Sequence, residues 1–184
     1  PAPTKQCFKS TTDLRLAVDQ VLNPNNTAAL ILEEAYGHLS EWCVSHITDF
    51  SQLFSVNRNP LAITFNESLY KWDVSAATNM REMFAGASAF NQDISSWKTS
   101  RVNHMGAMFS GASSFNQDLS SWDVSNVQSM QLMFSGATLY NKDLSSWKTS
   151  RVNDMSGMFS DASSFNQDLS SWDVSHVQSM QLMF

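Results

Sequence analysis

The aspartates Asp93, Asp118, Asp143 and Asp168 recur every 25 residues. If successive 25-residue segments stack, these carboxylates form one row, and two chemistries compete for it. Oxygens from neighbouring segments could coordinate calcium. Alternatively, each aspartate closes a local turn by accepting a backbone N–H. Like charges stacked closely repel, so the turn role is favoured. A second row reads Cys43, Asp73, Lys98, Asp123, Lys148, Asp173. Here opposite charges alternate. Each exposed pair is worth only about 0.2–1 kcal/mol, but slipping by one segment would set like charges together, so the row favours one register. The same stripe, Asp73, Lys98, Asp123, Lys148 and Asp173, is also the candidate contact surface for a charged partner.

The remaining polar residues point less sharply. Asn66, Asn91, Asn116, Asn141 and Asn166 form a column suited to satisfying backbone groups. The histidines His38, His46, His104 and His176 are scattered, and no His–Ser–Asp or His–Cys arrangement is readable, so neither an enzyme nor a cofactor is expected. The two cysteines, Cys7 and Cys43, lack metal-ligand spacing. They either remain thiols or staple an N-terminal arm to the first repeat. In an exported protein the disulfide is expected, because Cys43 replaces the row's Asp on that repeat alone. Asn25 opens a glycosylation sequon in a predicted loop, whereas the sequon at Asn66 falls in the asparagine column, where a buried ladder leaves it unused. Serine rows such as Ser120 with Ser121 allow an ion- or ice-binding surface, against which the charged column counts.

Elements of a repeat must position these rows. The string FNQDLSSWDVSNVQSMQLMF at 115–134 returns at 165–184 with Asn126 replaced by His176. The underlying period is 25, marked by Trp72, Trp97, Trp122, Trp147 and Trp172. An earlier unit starts near Trp42, 30 residues before Trp72, and its five extra residues fall within SVNRNPLAIT, where Pro60 suits a loop. The chain therefore divides into an N-terminal arm and helical cap over 1–34 and six repeat units over 35–184, the last truncated. WDVS and WKTS alternate, giving two kinds of rung.

Within a unit, Trp122 and Val124 alternate with Asp123, as in a short strand. Val127, Met130, Met133 and Phe134 follow at helical spacing. Ser125 with Gln128, and Ser175 with Gln178, suggest capping boxes. Gly86, Gly111 and Gly136, with Asp161 in the fifth unit, sit where a left-handed residue ends a helix. The predicted fold is an α/β solenoid, leucine-rich-repeat-like, with short parallel strands on one face and short helices on the other. The Trp, Met and Phe columns form its core. Helical spacing at Leu14, Ala17, Val18, Val21 and Leu22 places a helix over the first rung as a cap.

Composition bounds the function. A formal charge of −6 without a basic run argues against nucleic acid, and no stretch is apolar enough to span a membrane. Hydrophobic residues at 42% argue against disorder.

The segment FNQDLSSWDVSNVQSMQLMFSGA resembles the 25-residue repeat of the BspA-like leucine-rich-repeat surface proteins, found in mycoplasma lipoproteins, other bacteria and marine eukaryotic microbes. TTDLRLAVDQVL followed by YGHLSEWCVSHITDFSQLF is similar to the opening segment of algal-type members. The resemblance implies a secreted or cell-surface protein used in adhesion or binding, with a protein or glycan partner. It carries no catalytic residues. A rigid spacer within a longer surface protein is the alternative. Because an array needs a terminal cap, the natural chain is expected to continue past Phe184, and a chain ending there to fray or associate end to end.

Overall fold

The computed structural model describes residues 6–184 apart from 24, 26 and 27. Helix α1 spans Thr11–Leu22, with the Ser10 hydroxyl accepting the Asp13 N–H as N-cap. Helix α2 spans Ala28–Tyr36. Two 3-10 turns follow, Leu39–Glu41 and Pro60–Thr64, and the second is built from the five-residue excess of the first unit.

The repeats stack, but not as an α/β solenoid. Among the described residues there is no strand, and no α-helix lies beyond Tyr36. Neighbouring units meet at single parallel bridges, Asp49↔Asn79, Asn79↔His104, His104↔Ser129, Ser129↔Asp154 and Asp154↔Ser179. After each bridge the chain enters tandem turns. Met83 N–H donates to Met80 O, Ala85 to Glu82 O and Ala87 to Phe84 O. The alternate N–H groups cross to the next unit: Met80 to His104 O, Glu82 to Gly106 O, Phe84 to Met108 O and Gly86 to Ser110 O. Two of these three turns, the first and the last, carry a left-handed residue at their third position. One column is Gly86 (φ 75°), Gly111 (70°), Gly136 (69°) and Asp161 (58°), as expected, although no helix precedes them. The other runs Gln52, Glu82, Ala107, Leu132, Gly157 and Leu182, all with φ of 53–61°. These residues interrupt the extended run a strand needs and the uniform right-handed run a helix needs. The i, i+3, i+6, i+7 spacing marks the inward corners of successive turns.

The capping boxes are likewise overturned. Ser125 N–H donates to Asp123 Oδ1 at 3.0 Å, and Gln128 N–H to Asn103 O at 3.0 Å. Aspartate, not serine, closes the local turn.

The core is a set of stacked columns. Phe54, Phe84, Phe109, Phe134, Phe159 and Phe184 succeed one another at centroid distances of 5.6–5.8 Å. Phe65, Phe90, Phe115, Tyr140 and Phe165 form a second column, joined to the first by contacts such as Phe84–Phe90 at 3.9 Å. From Trp72 onward each indole N–H reaches back one unit, as Trp97 Nε1 does to Leu69 O (3.1 Å) and Trp122 Nε1 to Ile94 O (3.1 Å), whereas Trp42 Nε1 donates locally to Gly37 O. The two rung types differ in how they use the position after the charged residue. Thr99 and Thr149 are buried and donate to Asp123 O and Asp173 O of the following rung. Val74 and Val124 at that position only fill space.

The N-terminal segment takes the place of a preceding rung. The first-unit carbonyls equivalent to the cross-rung acceptors are Asp49, Ser51, Leu53 and Ser55. Thr11 Oγ1 donates to Asp49 O, Arg15 Nη2 to Ser51 O and Arg58 Nη2 to Leu53 O, while the Arg58 and Asn59 N–H groups donate to Ser55 O. Arg58 is held by Asp19 of α1 at 2.7 Å. A buried carbonyl without a partner is costly, so this substitution is what lets the stack begin.

Candidate functional site

The structure keeps Asp73, Lys98, Asp123, Lys148 and Asp173 on exposed positions of successive units, each next to a buried Trp. Among the described residues the ion pairs are Arg15–Asp49, Arg58–Asp19, Lys71–Glu41 and Arg81–Glu82, so this column shares a strip without contact pairing. Each of its aspartates instead accepts the N–H two residues on: Ser75, Ser125 and Ser175, all at 3.0 Å. The Asp73 carboxyl is held below the usual carboxylate range by the Ser75 hydroxyl and N–H, with the Lys98 charge adding to them. Ser125 and Lys148 do the same for Asp123.

The column Asp93, Asp118, Asp143, Asp168 closes turns in the same way, accepting from Ser95, Ser120, Ser145 and Ser170 at 2.8–2.9 Å. Serine N–H and hydroxyl groups depress Asp118, Asp143 and Asp168, although Asp118 and Asp168 both push Asp143 upward. Among the described residues no group of three or more His, Cys, Asp or Glu side chains is placed to hold a metal ion.

The asparagine column is a cross-rung ladder. Asn91, Asn116, Asn141 and Asn166 N–H groups donate to Oδ1 of Asn66, Asn91, Asn116 and Asn141 at 2.9–3.0 Å. It lies on an exposed edge, not in the interior as the sequence suggested, and it occupies the Asn66 side chain. The serine row is engaged too: Ser121 Oγ donates to Ser95 O and Ser146 Oγ to Ser120 O. Asn25 lies in an exposed turn, while Asn26 and Thr27 of its sequon are outside the described residues. Cys7 and Cys43 are joined by a disulfide, beside a parallel bridge between the same residues.

These depressed carboxyls set an acid response. A carboxyl whose folded pKa lies below its unfolded value contributes stability in full above the unfolded pKa, and loses it as pH falls through the folded one. Asp73, Glu82, Asp118, Asp123, Asp143, Asp168 and Asp173 all act in this sense. The melting temperature should hold steady from neutral pH down to about 5 and fall below about 4. Thermal unfolding across that range checks it, and a rise on acidification contradicts it.

Concave features interrupt the regular surface, among them a cavity beside the cap and a groove on the tandem-turn face. A cavity of about 300 Å³ lies between the cap and the first units, lined by Leu32, Leu39, Trp42 and Phe65 with Glu33 and Glu67. A groove of about 390 Å³ lies on the tandem-turn face, walled by Arg81, Glu82, Gln131 and Leu132, with His104 and Ser129 beside it. Sequence reasoning missed both. The groove had a legible signal: Gly106–Ala107 stand where neighbouring units carry Arg81–Glu82 and Gln131–Leu132.

The family model described as "Mycoplasma protein of unknown function, DUF285" matches residues 25–138 and 118–184. No curated protein and no solved structure matches the chain.

Proposed function

The chain belongs to the DUF285 repeat family, and from that premise we propose that it is a non-catalytic, secreted or cell-surface binding module that contacts a glycan ahead of a protein partner. The observation that carries this reading is the exposed polar surface. The Asp/Lys strip and the Asn ladder present hydrogen-bonding groups at fixed, repeated positions on a stacked aromatic core. Among the described residues the exposed large aromatics are Tyr70 and Phe184, and they do not cluster into the patch a protein partner favours. The resemblance of the repeat to BspA-like surface proteins supports a surface location. So does the Cys7–Cys43 disulfide, a bond suited to oxidising compartments. No helix among the described residues is long and apolar enough to cross a membrane.

The experiment is adhesion of protein-coated beads to cell surfaces before and after enzymatic deglycosylation. Retention lost on deglycosylation is the expected result. Retention that survives it reassigns the partner to protein. Failure of the beads to bind any surface leaves a rigid spacer, a reading the uniform core stacking favours.

A further inference from the structure

We infer that the groove over Gly106 and Ala107 is a binding site for a neutral saccharide of one or two pyranose rings. The inference rests on the glycan-contact reading above and gives it a location. Three consecutive units create the groove. In the middle one the paired positions carry Gly106 and Ala107, which leave the floor low. On the N-terminal side, Glu82 is drawn away from Ala107 by the Gln52 amide, which donates to Glu82 Oε2 at 3.0 Å. On the C-terminal side, Leu132 lies over Gly157, occupying the place a Cβ there would take. The equivalent dent at Ser156–Gly157 is therefore filled, while the one at Gly106–Ala107 stays open.

The lining chooses the ligand class. The volume of about 390 Å³ falls at the small end of the range for ligand pockets, about 300–1,000 Å³. Glu82 is fixed through both oxygens, Oε2 by Gln52 and Oε1 by Arg81 at 3.0 Å, so it is an oriented acceptor for hydroxyl groups. The Gln131 side-chain amide and the His104 imidazole are exposed and make no hydrogen bond to another of the described residues, leaving donors and acceptors for a ligand. The small apolar floor of Gly106 and Ala107, with Leu132 as a wall, suits the C–H face of a sugar ring. Arg81 pairs with Glu82 through Nε, which offsets its charge at the groove wall. A peptide adding its backbone is poorly served, because the Met105 and Ala107 N–H groups are spent on Ser129 O and Gln131 O, and those of Met80 and Glu82 on His104 O and Gly106 O.

The test is amide-resolved NMR titration with cellobiose, maltose, lactose and chitobiose, alongside inorganic phosphate and a neutral tripeptide. At least one disaccharide should shift the Gly106, Ala107, Ser129 and Gln131 amides. His104→Ala and Gln131→Ala should each weaken that binding by about tenfold. Ala107→Leu should abolish it. This variant is chosen because Leu132 and Leu182 hold the same left-handed conformation, at φ 56° and 53°, and an unchanged melting temperature confirms that it folds. The inference is overturned if no saccharide shifts those amides, if phosphate or the tripeptide shifts them instead, or if a folded Ala107→Leu protein binds as before. Should the groove fail while the coated beads still depend on surface glycans, the groove alone is wrong; if bead adhesion also fails, the glycan reading falls with it.

Discussion

Trp122→Ala should destabilise the protein by about 3–5 kcal/mol, at the upper end of core truncations. The indole is 3% exposed, stacks on Trp97 at 6.2 Å with 8° between planes, and packs against Phe109 at 6.2 Å. It is also a connector, since its Nε1 supplies the hydrogen bond to Ile94 O one unit back. Truncation therefore opens a cavity and removes one of the two hydrogen bonds that Ile94 O accepts, the other coming from the Trp97 N–H. Trp122→Phe separates the two effects: it keeps most of the ring packing but loses the Nε1 hydrogen bond, at a cost of about 0.5–1.5 kcal/mol. Because each unit touches only its neighbours, a weak internal rung uncouples the flanking parts. Urea unfolding followed by circular dichroism should show a lower midpoint and a broader transition for the alanine variant. A loss below about 1 kcal/mol would mean that the tryptophan column does not hold the units together.

That column is legible in the sequence itself, and the reason is physical. A residue that must be large and apolar in every unit repeats at the same phase, as Trp72 through Trp172 and Met80 through Met180 do. The alternation of buried Trp122 and Val124 around exposed Asp123 was also visible. What escaped was the backbone. The second left-handed column holds Gln, Glu, Ala, Leu, Gly and Leu in turn, and five of these six residues give no local sign of positive φ. Here tertiary hydrogen bonding, not residue preference, selects the conformation: Glu82 N–H reaches Gly106 O and Leu132 N–H reaches Ser156 O. Without that information, inward corners at i, i+3, i+6 and i+7 look like a helix face. The groove was hidden for the opposite reason. Repetition draws attention to what recurs, and Gly106–Ala107 matter because they depart from it.

Replacing Cys7 and Cys43 together by serine should cost about 2–5 kcal/mol, from the loop they close and the packing they hold in place. The cysteines are 36 residues apart in sequence. Between them lie α1 and α2, and the bond fixes the arm so that Phe8 stacks on Tyr36 at 4.2 Å and against Trp42 at 4.9 Å. The Phe8 N–H then donates to Cys43 O at 3.0 Å. Three residues further on, α1 begins and delivers Thr11 and Arg15 to the first unit's carbonyls, so loosening the arm weakens the groups that let the stack start. The damage should be local. Hydrogen exchange should accelerate over residues 6–22 and around Asp49 and Ser51, while the amides between Trp97 and Trp147 stay protected, because units remote from the cap keep both neighbours. Alkylation without reductant should add nothing to the parent protein's mass. A double-serine variant that melts with the parent, or exchange that accelerates evenly along the whole stack, would show that the arm does not secure the first rung.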